Sequence, residues 1–160
     1  MRLEKNIFPF ITFMIVITSC IHSTITLNIP FITDKTYTIH LGSRIRSLSA
    51  PLIVQCTPPN STKLGQNELS FGKEVSYKLP IIGNTTKFTC EFNWGNGIET
   101  NDRSVDVFEY GVEDKVCNVT ENVYWKALPD GLYFTCEDDF VGFKRCEWNP
   151  QVPCKSPKES

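Results

Sequence analysis

Seven cysteines in a chain of 160 residues limit the possible folds more than any other feature, because one of them, Cys20, lies in a stretch that reads as removable. Arg2 and Lys5 give a basic start, and Ile7 to Ile17 form an uncharged apolar run. Thr18, Ser19, Cys20 and Ser23 then offer the small side chains a signal peptidase needs. A membrane span takes about 17–25 apolar residues, and this run is shorter and holds Pro9. Residues 1–23 are therefore expected to be a cleaved export signal, cut after Cys20 or after Ser23. Six cysteines remain: Cys56, Cys90, Cys117, Cys136, Cys146 and Cys154. An even number in a short exported chain predicts a disulfide framework. No Cys-x-x-Cys pair occurs and there are two histidines, so the spacing does not suit zinc. Neither metal nor cofactor is expected.

Beyond the signal, residues 24–35 read as a loose leader or an extra strand and 149–160 as a flexible tail, around a single domain at 36–148. From Thr36 the apolar period is two rather than 3.6. Strands are predicted near 36–41, 51–56, 66–71, 74–80, 86–94, 104–110, 122–128, 131–136 and 140–148, with no amphipathic helix. Turn signals separate them, among them Pro58-Pro59-Asn60, Gly95-Asn96-Gly97 and Pro129-Asp130-Gly131. This spacing predicts an all-β fold, a disulfide-stapled antiparallel β-sandwich of about eight short strands. Alternation puts Leu52, Val54 and Cys56 on one face, and likewise Phe88, Cys90, Phe92 and Trp94, and Val123, Trp125 and Ala127. Cys146 and Trp148 share a face as well, with Lys144 interrupting it. Cysteines beside large aromatics suit an inter-sheet bridge packed on tryptophan, with Cys56 paired to Cys90 or Cys146; the remaining pairing is open.

Three sequons, at Asn60, Asn84 and Asn118, fall between predicted strands, where an N-glycan is tolerated. The formal net charge is −2, and loss of Arg2, Lys5 and Glu4 leaves the mature chain slightly more acidic. No cluster of Lys and Arg tracks a phosphate backbone, so a nucleic-acid partner is not expected. No later apolar run is long enough to span a membrane, and the tail carries no lipid-anchor signal. A secreted, extracellular monomer is expected.

The inventory for catalysis is thin. His22 leaves with the signal if the cut follows Ser23, and His40 sits in the alternating strand Tyr37-Thr38-Ile39-His40-Leu41, where a surface position is the simpler reading. No Gly-x-Ser-x-Gly elbow accompanies it. Glu113-Asp114 and Glu137-Asp138-Asp139 could supply the paired carboxylates of a glycoside hydrolase, but adjacent acids on a turn read first as solvated loops. No calcium loop is present. No catalytic residue is expected.

The order of features is more specific than any one of them. Leu52-Ile53-Val54-Gln55-Cys56 is followed by Leu64-Gly65, by Phe88-Thr89-Cys90-Glu91-Phe92-Asn93-Trp94 and by Val105-Asp106-Val107-Phe108. The series ends on Trp125, Asp130-Gly131-Leu132-Tyr133 and Cys146-x-Trp148. The series resembles the plant self-incompatibility S-protein homologue family over about Thr36 to Trp148. It departs in having Asn60-Ser61-Thr62-Lys63 for an acidic run, Tyr77 for a tryptophan and Val123 for a cysteine, and Cys136 and Cys154 are additional. The resemblance implies a secreted β-sandwich ligand without catalytic residues, sensed by a membrane protein on a cell surface. Two bare, charged loops are the candidate recognition elements. One is Gly95–Arg103, with Glu99, Asp102 and Arg103; the other is Glu137, Asp138 and Asp139. The alternatives are a glycan-binding or wall-associated module, which needs Trp94, Trp125 or Trp148 exposed in a flat row, and a carboxylate-dependent hydrolase.

Overall fold

A computed structural model describes residues 32–46, 50–59, 61–95, 100–138 and 142–157. The predicted signal and most of the leader, together with Asn60, Glu99 and Asp139, lie outside the described residues. Among the described residues, nine strands form two sheets. The first sheet has the order β4 (Glu74–Ile82), β1 (Ile32–Ser43), β7 (Asn122–Leu128), β8 (Gly131–Thr135), β9 (Phe143–Cys146). The second has the order β3 (Asn67–Leu69), β2 (Leu52–Thr57), β5 (Lys87–Gly95), β6 (Thr100–Glu109). The chain passes twice from the first sheet to the second and back, so each crossover carries it from one layer to the other.

The period-two pattern builds the core as expected. Tyr37, Ile39 and Leu41 of β1, Leu52, Val54 and Cys56 of β2, Phe88, Cys90 and Phe92 of β5, and Val123, Trp125 and Ala127 of β7 are all buried. Burying each large apolar side chain contributes about 1.5–3 kcal/mol. At Phe88/Thr89 the β5–β6 register slips by a residue. This bulge lets the neighbours Val107 and Phe108 both face inward, and Phe108 meets Tyr37 across the layers with ring centroids 4.7 Å apart.

Several expectations need correction. The sandwich is not wholly antiparallel: β1 pairs with β7 in parallel, Thr38 opposite Asn122 and Ser43 opposite Ala127. Parallel neighbours need a long crossover, and here β2 to β6 supply it, the four strands of the second sheet together with β4 of the first. β1 begins at Ile32, β6 at Thr100 instead of 104, and β9 covers only Phe143–Cys146. One helical turn, α1 (Glu113–Val116), is present.

The six cysteines form three bridges, Cys56–Cys90, Cys117–Cys136 and Cys146–Cys154. The Cys56–Cys90 pair was one of the two expected for the core, but it is not an inter-sheet bridge. The two residues stand opposite each other on neighbouring strands of one sheet. One tie between the layers is made instead by Trp125 of β7, whose indole N–H donates to the Val107 carbonyl of β6 at 2.8 Å.

Candidate recognition surface

The registers divide the connections between two ends of the sandwich. At one end, Gly72 donates its backbone N–H to Ser43 at 2.8 Å, Ser43 donates to Lys73 at 3.0 Å, and Arg44 donates to Ala127 at 2.8 Å. The β1–β2 connection, the β3–β4 turn and the β7–β8 turn therefore lie together. The β5–β6 hairpin joins them: Asn93 opposes both Ile53 at the start of β2 and Asp102, and Trp94 lies 6.1 Å from Trp148. The Trp148 indole donates to the Leu128 carbonyl at 2.9 Å, which brings the hairpin beside the β7–β8 turn.

At the other end, Thr57 opposes Thr89 and Lys87 opposes Glu109. Tyr110 donates to the Thr86 carbonyl at 2.9 Å, and Thr38 donates to Glu121 at 2.9 Å. The Asn118 carbonyl accepts from Lys35 at 3.2 Å. Asn84 and Asn118, both exposed, stand at this end, and Asn60 follows Pro59 in the connection that leaves β2 there. The three sequons thus belong to connections of one end, and none belongs to a connection of the other.

The sequon-free end carries an exposed aromatic that the sequence reading missed. Phe71 is 48 % exposed at the β3–β4 turn, and the Arg46 guanidinium lies 4.9 Å from its ring centre. Gly72, at φ +76°, supplies the left-handed residue the turn requires. Phe71 closes the predicted strand 66–71 just before Gly72-Lys73, which is a signal for the turn, but the partner Arg46 belongs to a distant connection. Acids complete the end. Asp102 of β6 accepts from the Asn93 amide. Burial alone would raise the Asp130 pKa, but Tyr133 at 2.9 Å and Lys144 at 3.2 Å hold the carboxyl below its ordinary range. Gly131 is fixed by close approach: a β-carbon there would stand 2.2 Å from the Cys146 carbonyl oxygen.

The predicted loop residues separate. Asp102 is exposed but lies on a strand. Arg103 is not a recognition residue of a loop: it is buried, and its guanidinium donates to the Asn149 and Val152 carbonyls at 2.7 Å each and approaches the Cys154 sulfur at 3.1 Å. It therefore fastens the C-terminal segment to β6. Glu137 and Asp138 are exposed at the opposite end, beside Cys136, and Asp138 accepts from the buried Lys126 at 3.1 Å.

Glu113 also departs from expectation. It is buried, not part of a solvated turn; one carboxylate oxygen accepts from Arg145 and the other from the Glu109 N–H at 2.7 Å. His40 lies on the outer face of the first sheet, 2.7 Å from Glu74 and 3.3 Å from Asn122, and stacks on Tyr124. Trp125 and Trp148 are buried and Trp94 is half-buried, so the tryptophans do not form an exposed row. No group of three or more His, Cys, Asp or Glu suited to a metal ion occurs among the described residues, and no helix there is long and apolar enough to cross a membrane.

A family model described as plant self-incompatibility protein S1 matches residues 38–148. The fold is similar to a solved structure of SPH (self-incompatibility protein homologue) proteins, described as a widespread family of small, highly stable, secreted proteins from plants. The similarity has a TM-score of 0.52 at 19% identity and covers 69% of this chain and 91% of that one. No curated protein matches the sequence.

Proposed function

The chain belongs to the plant self-incompatibility protein S1 family, and from that premise we propose that it is a secreted recognition ligand whose sequon-free end binds a membrane protein on a cell surface. The observation that carries this reading is the segregation of the sequons. Sugars at Asn84 and Asn118 would shield one end, while Phe71, Arg46, Lys73, Asp102 and Asp130 stay bare at the other. Aromatic and arginine side chains are enriched where interfaces draw most of their energy, and loops on a rigid scaffold are the usual carriers of binding. The homologues of the similar solved structure are described as secreted, and three disulfides suit an oxidising compartment.

The two other readings have less support. Stacking of a glycan would need the tryptophans exposed in a flat row. A carboxylate hydrolase built on Glu113 would have to free a side chain whose two oxygens are already bonded to Arg145 and Glu109.

The test uses labelled, glycosylated protein and plant plasma-membrane vesicles, with binding required to saturate and to be competed by unlabelled protein. Joint replacement of Arg46, Phe71 and Asp102 by alanine should weaken binding by about tenfold or more, equivalent to about 1.4 kcal/mol. Replacing Glu137 and Asp138 should leave binding unchanged. Circular dichroism should show both variants folded. Loss of binding in the second variant alone would move the recognition surface to the sequon end.

A further inference from the structure

An apolar groove of about 310 Å³ runs along the open side of the sandwich, between edge strand β4 and the connection leaving β2. Pro58, Pro59 and Leu64 line it from that connection, Tyr77 and Ile82 from β4, and Phe88 from β5. Ile82 is 57 % exposed, an unusual position for an isoleucine at the mouth of an apolar trough. Small-molecule sites span roughly 300–1,000 Å³, so this groove is at the lower limit and suits an occupant of about one or two sugar rings.

We propose that Asn84 carries an N-glycan whose first N-acetylglucosamines lie over this groove and cover it. The inference rests on the secreted reading, because the sugar is added only in the secretory pathway. The geometry points to Asn84 in two ways. Asn84 is exposed in the 3₁₀ turn Gly83–Thr85 that joins β4 to β5, and those two strands supply Ile82 and Phe88 to the groove. The sequon's hydroxyl residue, Thr86, is itself anchored to the lip: its Oγ1 accepts from the Ile82 N–H at 2.9 Å and donates to the Ile82 carbonyl at 3.2 Å. The root of the sugar is thereby held at a fixed place beside the mouth. Across the groove, Pro59 immediately precedes the sequon asparagine Asn60 in the sequence.

Tethering supplies the affinity. A group linked through a short connection acts at an effective concentration in the millimolar range, so a weak contact is enough to keep it seated. The C–H face of a pyranose packs on proline, isoleucine and tyrosine, while its hydroxyls remain in water. The bond forms between Nδ2 of Asn84 and the anomeric carbon of a polyprenyl-diphosphate oligosaccharide. The polyprenyl diphosphate leaves and the amide gives up one proton. Because the Thr86 hydroxyl is engaged in the folded turn, transfer precedes closure of that turn.

The test compares parent protein secreted from plant cells with Asn84→Gln and Asn118→Gln. Glycopeptide mass spectrometry should find sugar at Asn84 in the parent. Fluorescence of a hydrophobic dye should rise severalfold for Asn84→Gln and stay at the parent level for Asn118→Gln. Adding Ile82→Ser to Asn84→Gln should abolish the rise. Should Asn84→Gln fail to fold, amidase treatment of already folded parent gives the same comparison: dye binding should rise on treatment of the parent and of Asn118→Gln. A secreted protein glycosylated at Asn118 but bare at Asn84 overturns this proposal alone, whereas protein retained in the cell with no sugar at either site overturns the secreted reading. Equal dye binding by parent and Asn84→Gln means the groove stands open and overturns the proposal. So does self-association of the parent through Ile82 with its sugar in place, since the occupant is then a second copy.

Discussion

The Arg145 guanidinium lies against two aromatic rings, 5.0 Å from that of Trp125 and 5.2 Å from that of Phe134, where a cation would be costly without compensation. Glu113 compensates it, and the Lys155 carbonyl accepts from Arg145 Nε at 2.8 Å. Removing one member of a buried pair leaves the other uncompensated, at a cost of about 3–5 kcal/mol. Arg145→Met is therefore expected to lower stability by that amount in urea unfolding, and Glu113→Gln added to it should restore a large part. The pair also sets a pH dependence. Burial raises the Glu113 pKa, and Arg145 and the backbone N–H groups only partly offset it. A carboxyl raised in the folded state contributes stability below its unfolded pKa and loses that contribution as pH rises through the folded value. The stability difference between parent and Glu113→Gln should accordingly shrink from mild acid toward neutral pH; a difference that grows with pH would reverse the assignment. None of this was legible in the sequence. Glu113-Asp114 has the form of a solvated turn, and its partner is 32 residues away.

At the scale of elements, the strands that alternate cleanly were legible, and so were the buried faces of Cys56, Cys90 and Cys146. Alternation fixes which way a side chain points but not which strand lies beside it. The parallel β1–β7 pairing and the placement of Cys56 and Cys90 within one sheet therefore had no local signal. Arg103 was misread for a related reason, because a short polar run after Gly95 looks like a loop until β6 is seen to begin at Thr100. The three bridges close intervals of 34, 19 and 8 residues. Loop-closure entropy alone assigns them about 3.8, 3.2 and 2.5 kcal/mol, in that order. The shortest is expected to break that ranking. Cys146–Cys154 also holds the segment that gives Arg103 its acceptors and lets Lys155 donate to the Arg145 carbonyl at 2.8 Å. Joint replacement of Cys146 and Cys154 by alanine should therefore cost more than replacement of Cys117 and Cys136. Equilibrium urea unfolding of the two double variants decides it, and the entropic order would show that the tail contributes little.

For the molecule as a whole, the partition of the sandwich into a sequon-bearing and a sequon-free end yields a prediction that depends on no single contact. Sugars are bulky and solvated, so moving one to the bare end should obstruct a partner even where the residue it replaces makes no contact itself. Asp102→Asn achieves this with one substitution, because Arg103 and Ser104 follow and complete a sequon across positions 102–104. Asp102 and Ser104 are both exposed on β6, so the new sugar would project from the β5–β6 hairpin without entering the core. The substitution also removes a carboxylate, and the Asp102→Asn/Ser104→Ala pair controls for that by losing the charge without gaining the sequon. The expected order of binding to membrane vesicles is parent, then the double variant close behind it, then glycosylated Asp102→Asn weaker by about tenfold or more, near 1.4 kcal/mol. Amidase treatment of the folded Asp102→Asn protein turns the sugar-bearing asparagine into aspartate, and so should restore binding toward the parent level. Asn118→Gln, which removes the sequon from the far end, should change nothing. If glycosylated Asp102→Asn binds as the parent does, the hairpin end faces away from the partner. If instead Asn118→Gln alters affinity, the sequon-bearing end takes part in recognition.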